Sequence, residues 1–233
     1  MKAFDIPQQF SSSLIDEIND IRNSTDRLKK NFSPSLLQFK NIEILIARHF
    51  GFCYGVKNAV EMAFKIIAEH PNQKIYLLSE IIHNPSVNKS LLELGVEFIQ
   101  DEKGNQIIGW DTIQQNDVVI TPAFGTTNEI QCLLEDKGVD LQQFDTTCPF
   151  VEKVWKRGNE LASQEATLII HGKRNHEETR ATFSQTAGKR IIIETITEAR
   201  ELSNDIRNNQ FSDKWNNRIS EGFNFNEDFQ KIG

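Results

Sequence analysis

The sequence predicts an α/β chain in which parallel-sheet units recur behind an N-terminal helical arm. Three observations carry this expectation. Short β-forming runs alternate with helical patterns from Ile42 to about Asn204. Glycines or helix-opening prolines punctuate many of the changes. The reactive side chains fall where a strand ends and a helix begins. Strands alternating with helices build parallel sheets joined by crossovers, and the carboxyl edge of such a sheet is where ligands bind.

Taken in order, residues 1–41 read as a separate arm. Ser11 to Lys30 predicts an amphipathic helix with Leu14, Ile15, Ile18, Ile21 and Leu28 near one face, broken by Asn31 and Ser33-Pro34. The arm reads as a cover for a domain surface or as a protein-binding helix. Ile42–Ala47 then predicts a strand, followed by Phe50-Gly51-Phe52-Cys53-Tyr54-Gly55-Val56 and a helix to about Ala68. Lys74–Leu78 is the next strand, with a helix from Pro85 to about Leu94, stopped by Gly95. Val96–Ile99 and Asp117–Thr121 follow as strands, then a helix from Thr126 to Lys137. Leu141–Asp145 predicts a strand before Cys148 and a helix opening at Pro149. Thr167–His171 and Arg190–Glu194 complete the strands, each followed by a helix, the second over about Thr197–Asn204. The polar tail from Asp205 to Gly233 reads as a lead-in to a further strand. These elements divide into the arm (1–41), a first α/β module (42–147) and a second (148–233).

Composition narrows the function. A net charge of −7 argues against a general nucleic-acid binder. There is no apolar run of membrane-spanning length, and the N-terminus lacks a signal-peptide pattern and carries Asp5, Asp16 and Glu17. Three scattered cysteines do not make a disulfide framework. A reducing cytoplasm is the expected setting, where a placed cysteine serves more often as ligand or nucleophile than as half a cystine.

Cys53 and Cys148 hold equivalent positions, each at a strand-to-helix turn. Helix N-termini carry a partial positive charge that favours the metal-binding thiolate form. The bland alternative is a buried packing cysteine. Without a CxxC spacing the sequence does not specify the metal, and zinc or an iron–sulfur cluster both remain open. Cys132 lies mid-helix and reads as a packing residue. His83 and His176 lie in loops at corresponding sheet edges. They read as surface or capping residues, or together as donors for a phosphate-like oxyanion. His171 reads as the end of its strand. Glu178, in a first helical turn, either compensates the helix dipole or, in a closed apolar site, serves as a general acid. Thr146 and Thr147 read as helix caps or ligand contacts.

Five stretches carry a resemblance. They are Gly51-Phe52-Cys53-Tyr54-Gly55-Val56, Glu80-Ile81-Ile82-His83-Asn84-Pro85, Pro122-Ala123-Phe124-Gly125, Asp145-Thr146-Thr147-Cys148-Pro149, and Ile170 through Thr179. In this order the chain resembles the LytB/IspH family, the 4-hydroxy-3-methylbut-2-enyl diphosphate reductases of the non-mevalonate isoprenoid pathway. The resemblance implies three similar α/β modules around a central iron–sulfur (4Fe-4S) cluster, each giving one cysteine. It implies reductive removal of a hydroxyl from an allylic diphosphate, yielding isopentenyl and dimethylallyl diphosphates. An external electron donor of ferredoxin or flavodoxin type is implied, with neither nucleic acid nor membrane as a partner. By position, Cys53 and Cys148 would be cluster ligands, His83 and His176 would hold the diphosphate, and Glu178 would relay a proton to the leaving hydroxyl. Many members carry a histidine where this chain has Phe124, which removes one donor. The family's third cysteine lies beyond Gly233, so the expectation is two modules plus the arm, with weak or no reductase activity. Two other readings stand beside it: a zinc hydrolase or lyase using Cys53, Cys148 and a histidine with Glu178 as base, and a non-enzymatic diphosphate-binding protein.

Overall fold

The computed structural model describes residues 7, 10, 12–28, 30–208 and 215. The first helix, α1, spans Ser13–Thr25 and buries none of its residues. It is shorter than the 11–30 helix the sequence predicts, whose Ser11 and Lys29 lie outside the described residues. Asp26 stops it: its carboxylate accepts from the backbone N–H groups of Lys30 and Asn31, drawing the chain into a turn. Leu14, Ile21 and Leu28 are exposed. The arm is tied down instead by the buried Arg48, whose guanidinium donates to Asn23 Oδ1 at 3.3 Å and to the Asp26 carbonyl at 3.2 Å.

A strand the sequence reading missed, β1 (Ser35–Gln38), pairs antiparallel with β2 (Glu43–Ile46). The strand leading to Cys53 therefore belongs to a largely exposed two-stranded hairpin rather than to a parallel sheet. This corrects the expectation for that unit. Both strands are four residues long, and neither buries a residue.

The parallel sheet follows. Its strands are β3 (Ile75–Leu77), β4 (Glu97–Phe98) and β5 (Val118–Ile120), ordered β4-β3-β5. Both faces are covered, as the continuous apolar runs require. Ile75, Leu77, Val118 and Ile120 share one core cluster with Ala59, Ala63 and Ile66 of α2 (Tyr54–Glu69) and with Val87 and Leu91 of α3 (Pro85–Glu93). Tyr76, Leu78 and Val119 point the other way, against Ile130 and Leu134 of α4 (Asn128–Asp136). Asn84 caps α3, its side chain accepting from Ser86 and Val87 N–H, and Gly95 takes a positive φ of 87° just past the helix end.

Leu141–Asp145 is not a strand. Leu141 to Phe144 makes a turn, and one isolated bridge joins Thr121 to Asp145. The extended pairing starts later than the sequence suggests and runs on to the cysteine: Thr146 N–H donates to the Thr121 carbonyl and Cys148 N–H to that of Ala123.

The second parallel pair is β6 (Leu168–His171) with β7 (Arg190–Ile193). It is flanked by α5 (Pro149–Ala162), α6 (Glu177–Gln185) and α7 (Ile196–Arg207). Ile191, Ile193 and Leu202 pack with Trp215, whose indole N–H donates to Asp205 at 2.6 Å. The C-terminal polar tail otherwise lies outside the described residues. Among the described residues no helix is long and apolar enough to cross a membrane.

Helix α6 joins the two parallel sheets. Ser184 accepts from Asn128 N–H at 2.9 Å and donates to Glu129 at 2.8 Å, and Gln185 donates to the Thr126 carbonyl at 2.9 Å. This docking sets the start of α6 against the loop that follows β3.

Candidate functional site

Both singled-out cysteines are helix N-caps. Cys53 precedes α2 and Cys148 precedes α5, with Pro149 as the first helical residue. Cys53 is exposed and Cys148 buried. They belong to one neighbourhood: the first turn of α2 lies directly against Cys148. A Cβ added to the buried Gly55 would overlap Cys148 Sγ and sit 3.2 Å from its Cβ. Only glycine permits this approach. The backbone two residues past Cys53 is thus packed on the Cys148 side chain, and each cysteine sits at the positive end of a helix. Cys132, expected to pack, is exposed instead. Its helix buries Ile130 and Leu134, and position 132 turns away from them.

The histidines meet. His83 follows β3 and His176 caps α6, and their Nε2 atoms lie 3.1 Å apart. Protonation can be read from the bonding. The Glu178 backbone N–H donates to His176 Nδ1 at 3.2 Å, so the proton of a neutral His176 sits on Nε2 and is donated to His83 Nε2. The proton of His83 is then on Nδ1, which faces Glu80 Oε2 at 3.5 Å. Phe124 stacks on the His83 ring, centroids 4.3 Å apart at 24°, and meets His176 edge-on at 6.2 Å. It gives the imidazole an apolar wall that fixes the ring. Burial, and then the neighbouring His83, pull the His176 pKa below its ordinary value.

A cleft of about 590 Å³ opens beside His176. His171, Lys173, His176 and Glu178 line its polar side, and Val154 and Ile170 its apolar side. His171 ends β6, as the sequence suggests, and also faces this space. Thr146 and Thr147 do not cap α5. Thr146 Oγ1 donates to the Thr121 carbonyl at 2.5 Å and Thr147 Oγ1 to Asp145 at 2.5 Å, which stiffens the turn before Cys148.

Two residues escaped the sequence reading. Ser79, just past β3, donates its hydroxyl to Glu177 Oε2. Glu177 Oε1 lies 3.8 Å from His83 Nε2, and the side chain is only 10% exposed. Burial pushes the Glu177 pKa up to about 8, with Glu80 adding to the rise and the Ser79 hydrogen bond opposing it. The only sequence signal was a second glutamate in His176-Glu177-Glu178.

Known proteins match this arrangement of motifs. The family model described as LytB protein covers residues 44–219. The 4-hydroxy-3-methylbut-2-enyl diphosphate reductase of Trichormus variabilis is 40% identical over 235 residues, covering 99% of this chain and 54% of that protein. The enzyme of the same name from Picosynechococcus sp. is 39% identical, covering 97% and 53%. A solved structure of (E)-4-hydroxy-3-methyl-but-2-enyl diphosphate reductase aligns with a TM-score of 0.53 at 32% identity, covering 65% of this chain and 50% of that one. That of the Plasmodium falciparum reductase aligns at 0.56 and 26% identity, covering 65% and 44%. The chain spans about half the length of the curated relatives it matches.

Proposed function

The chain belongs to the LytB protein family, and from that premise we propose that it serves the reductive dehydroxylation of 4-hydroxy-3-methylbut-2-enyl diphosphate, a step of non-mevalonate isoprenoid synthesis. The approach of the α2 start to Cys148 is the observation that carries this reading, because a glycine there makes sense if the two thiols share one centre.

Cys53 and Cys148 are the residues that would hold an iron–sulfur cluster of the 4Fe-4S kind, each contributing one thiolate. Held there, such a cluster would supply electron transfer from an external donor of ferredoxin or flavodoxin type toward the allylic C–O bond. The chain's own residues bind, orient and protonate. His176 Nε2–H, which points at His83, is the donor that turns to the diphosphate. His83 is the second contact, its ring fixed by Phe124. Helix N-termini strengthen these charged contacts, each contributing about 1.5–3 kcal/mol. Glu178 delivers a proton to the leaving hydroxyl, which departs as water. Its backbone N–H sets the His176 tautomer, so proton delivery and anion binding are ordered by one residue.

Calorimetric titration of the anaerobically reconstituted chain with the substrate diphosphate tests the reading. Wild type binds, and H83A/H176A loses binding by about 100-fold or more, as two charged hydrogen bonds require. Equal affinity of the two proteins would refute the histidine assignment.

A further inference from the structure

We propose that Glu177 is a positioning residue of the same anion site: it ties the 79–84 loop to the first turn of α6, places the two imidazoles, and sets the upper pH limit of diphosphate binding. This rests on the diphosphate reading of that site.

The geometry is specific. Glu177 is the first residue of α6, and its side chain reaches across to the loop after β3. One carboxyl oxygen takes the Ser79 hydroxyl. The other, Oε1, is buried, has no hydrogen-bond partner among the described residues, and lies 3.8 Å from His83 Nε2. An unpartnered buried carboxyl oxygen is costly, and the imidazole that is proposed to hold the ligand lies 3.8 Å from it.

The surrounding charges decide the sign. Glu80 and Glu102 face this place from the loops after β3 and β4, and the ligating atoms of Glu80, His83 and Glu102 lie within 4.8 Å of one another. His83 and His176 approach from the ligand side, and Arg180 acts on Glu177 from one turn along α6. An ionised Glu177 would be a third carboxylate beside a bound polyanion. Held near neutral by burial, with its pKa pushed up to about 8, it adds no charge at physiological pH. An anion then binds the protonated form best, and by linkage its affinity falls once Glu177 ionises.

The experiment is calorimetric titration of the full chain with inorganic pyrophosphate from pH 6.5 to 9.5, for wild type and E177Q. The glutamine is a neutral isostere that cannot titrate, so the ratio of the two affinities cancels the ionisation of the ligand and of the histidines. The ratio is expected to be constant below pH 7 and to fall above pH 8 by an amount approaching about tenfold per pH unit. In S79A, which removes the hydrogen bond that stabilises the carboxylate, the break should move to higher pH. Parallel curves for wild type and E177Q, or a break in S79A that stays put or moves down, would overturn the proposal while leaving the anion site standing. No pyrophosphate binding by wild type at any pH would overturn the anion-site reading itself, and this inference with it.

Discussion

Nε2 of His83 and Nε2 of His176 lie 3.1 Å apart, although one imidazole follows a strand of the three-stranded sheet and the other caps the helix after β6. With His176 donating from Nε2, one proton lies between them. On the proposed reading, an entering anion accepts the His176 hydrogen bond in place of His83. Single H83A and H176A variants should each weaken pyrophosphate binding by about 10- to 100-fold, measured by calorimetry. A variant that binds as wild type does would remove that residue from the site.

His176 also predicts an acid limb. Its folded pKa lies below the unfolded value of 6.5, through burial first and the His83 charge second. The unfolded chain therefore binds the proton more readily. The stability contributed by the neutral imidazole is present above that unfolded value and is lost as pH falls through the window below it. Thermal unfolding of wild type and H176Q between pH 7 and pH 5 checks this: the wild type should lose more. Parallel melting curves would contradict it.

Glu177 has the opposite linkage. Its folded pKa of about 8 lies above the ordinary value of 4.5. Between those limits the unfolded chain is ionised and the folded one is not, so stability falls with rising pH, at up to about 1.4 kcal/mol per unit. E177Q should gain on wild type in melting temperature from pH 5 to pH 8. A constant difference would show that Glu177 is ionised in the fold.

Gly55→Ala tests the contact on which the two-thiol centre depends. Alanine in a helix is ordinarily better than glycine by about 1 kcal/mol. Here the added methyl meets Cys148 Sγ, and overpacking of this kind costs about 1–3 kcal/mol. G55A should destabilise the wild type, and the penalty should shrink or reverse in a C148A background. Additive effects in this double-mutant cycle would separate the two residues.

Much of this was legible in the sequence, for identifiable reasons. Ile75–Leu77 and Val118–Ile120 are continuous apolar runs, and both became strands buried on two faces. Pro85 and Pro149 opened helices where a proline costs nothing. The misses were of tertiary origin. Ser35–Gln38 became a strand only because Glu43–Ile46 folded back on it, which no local pattern announced. Leu141–Asp145 read as a strand, but the Asp140 carboxylate accepts from Gln143 N–H and draws its first residues into a turn. Position 132 looked apolar-facing, yet the buried face of α4 runs through Ile130 and Leu134. At the candidate site the histidines and cysteines stood out as residue types, whereas Ser79 and Glu177 became visible only once a contact spanning 98 positions brought them together.

The claim that most depends on this geometry is that Cys53 and Cys148 serve one metal centre. Anaerobic reconstitution with iron and sulfide, followed by iron and sulfide analysis and the visible spectrum, tests it directly. The account predicts a brown wild-type protein containing both elements, and C53S and C148S variants that each lose most of them. A colourless protein that takes up zinc instead, or serine variants with undiminished iron and sulfide, would contradict it.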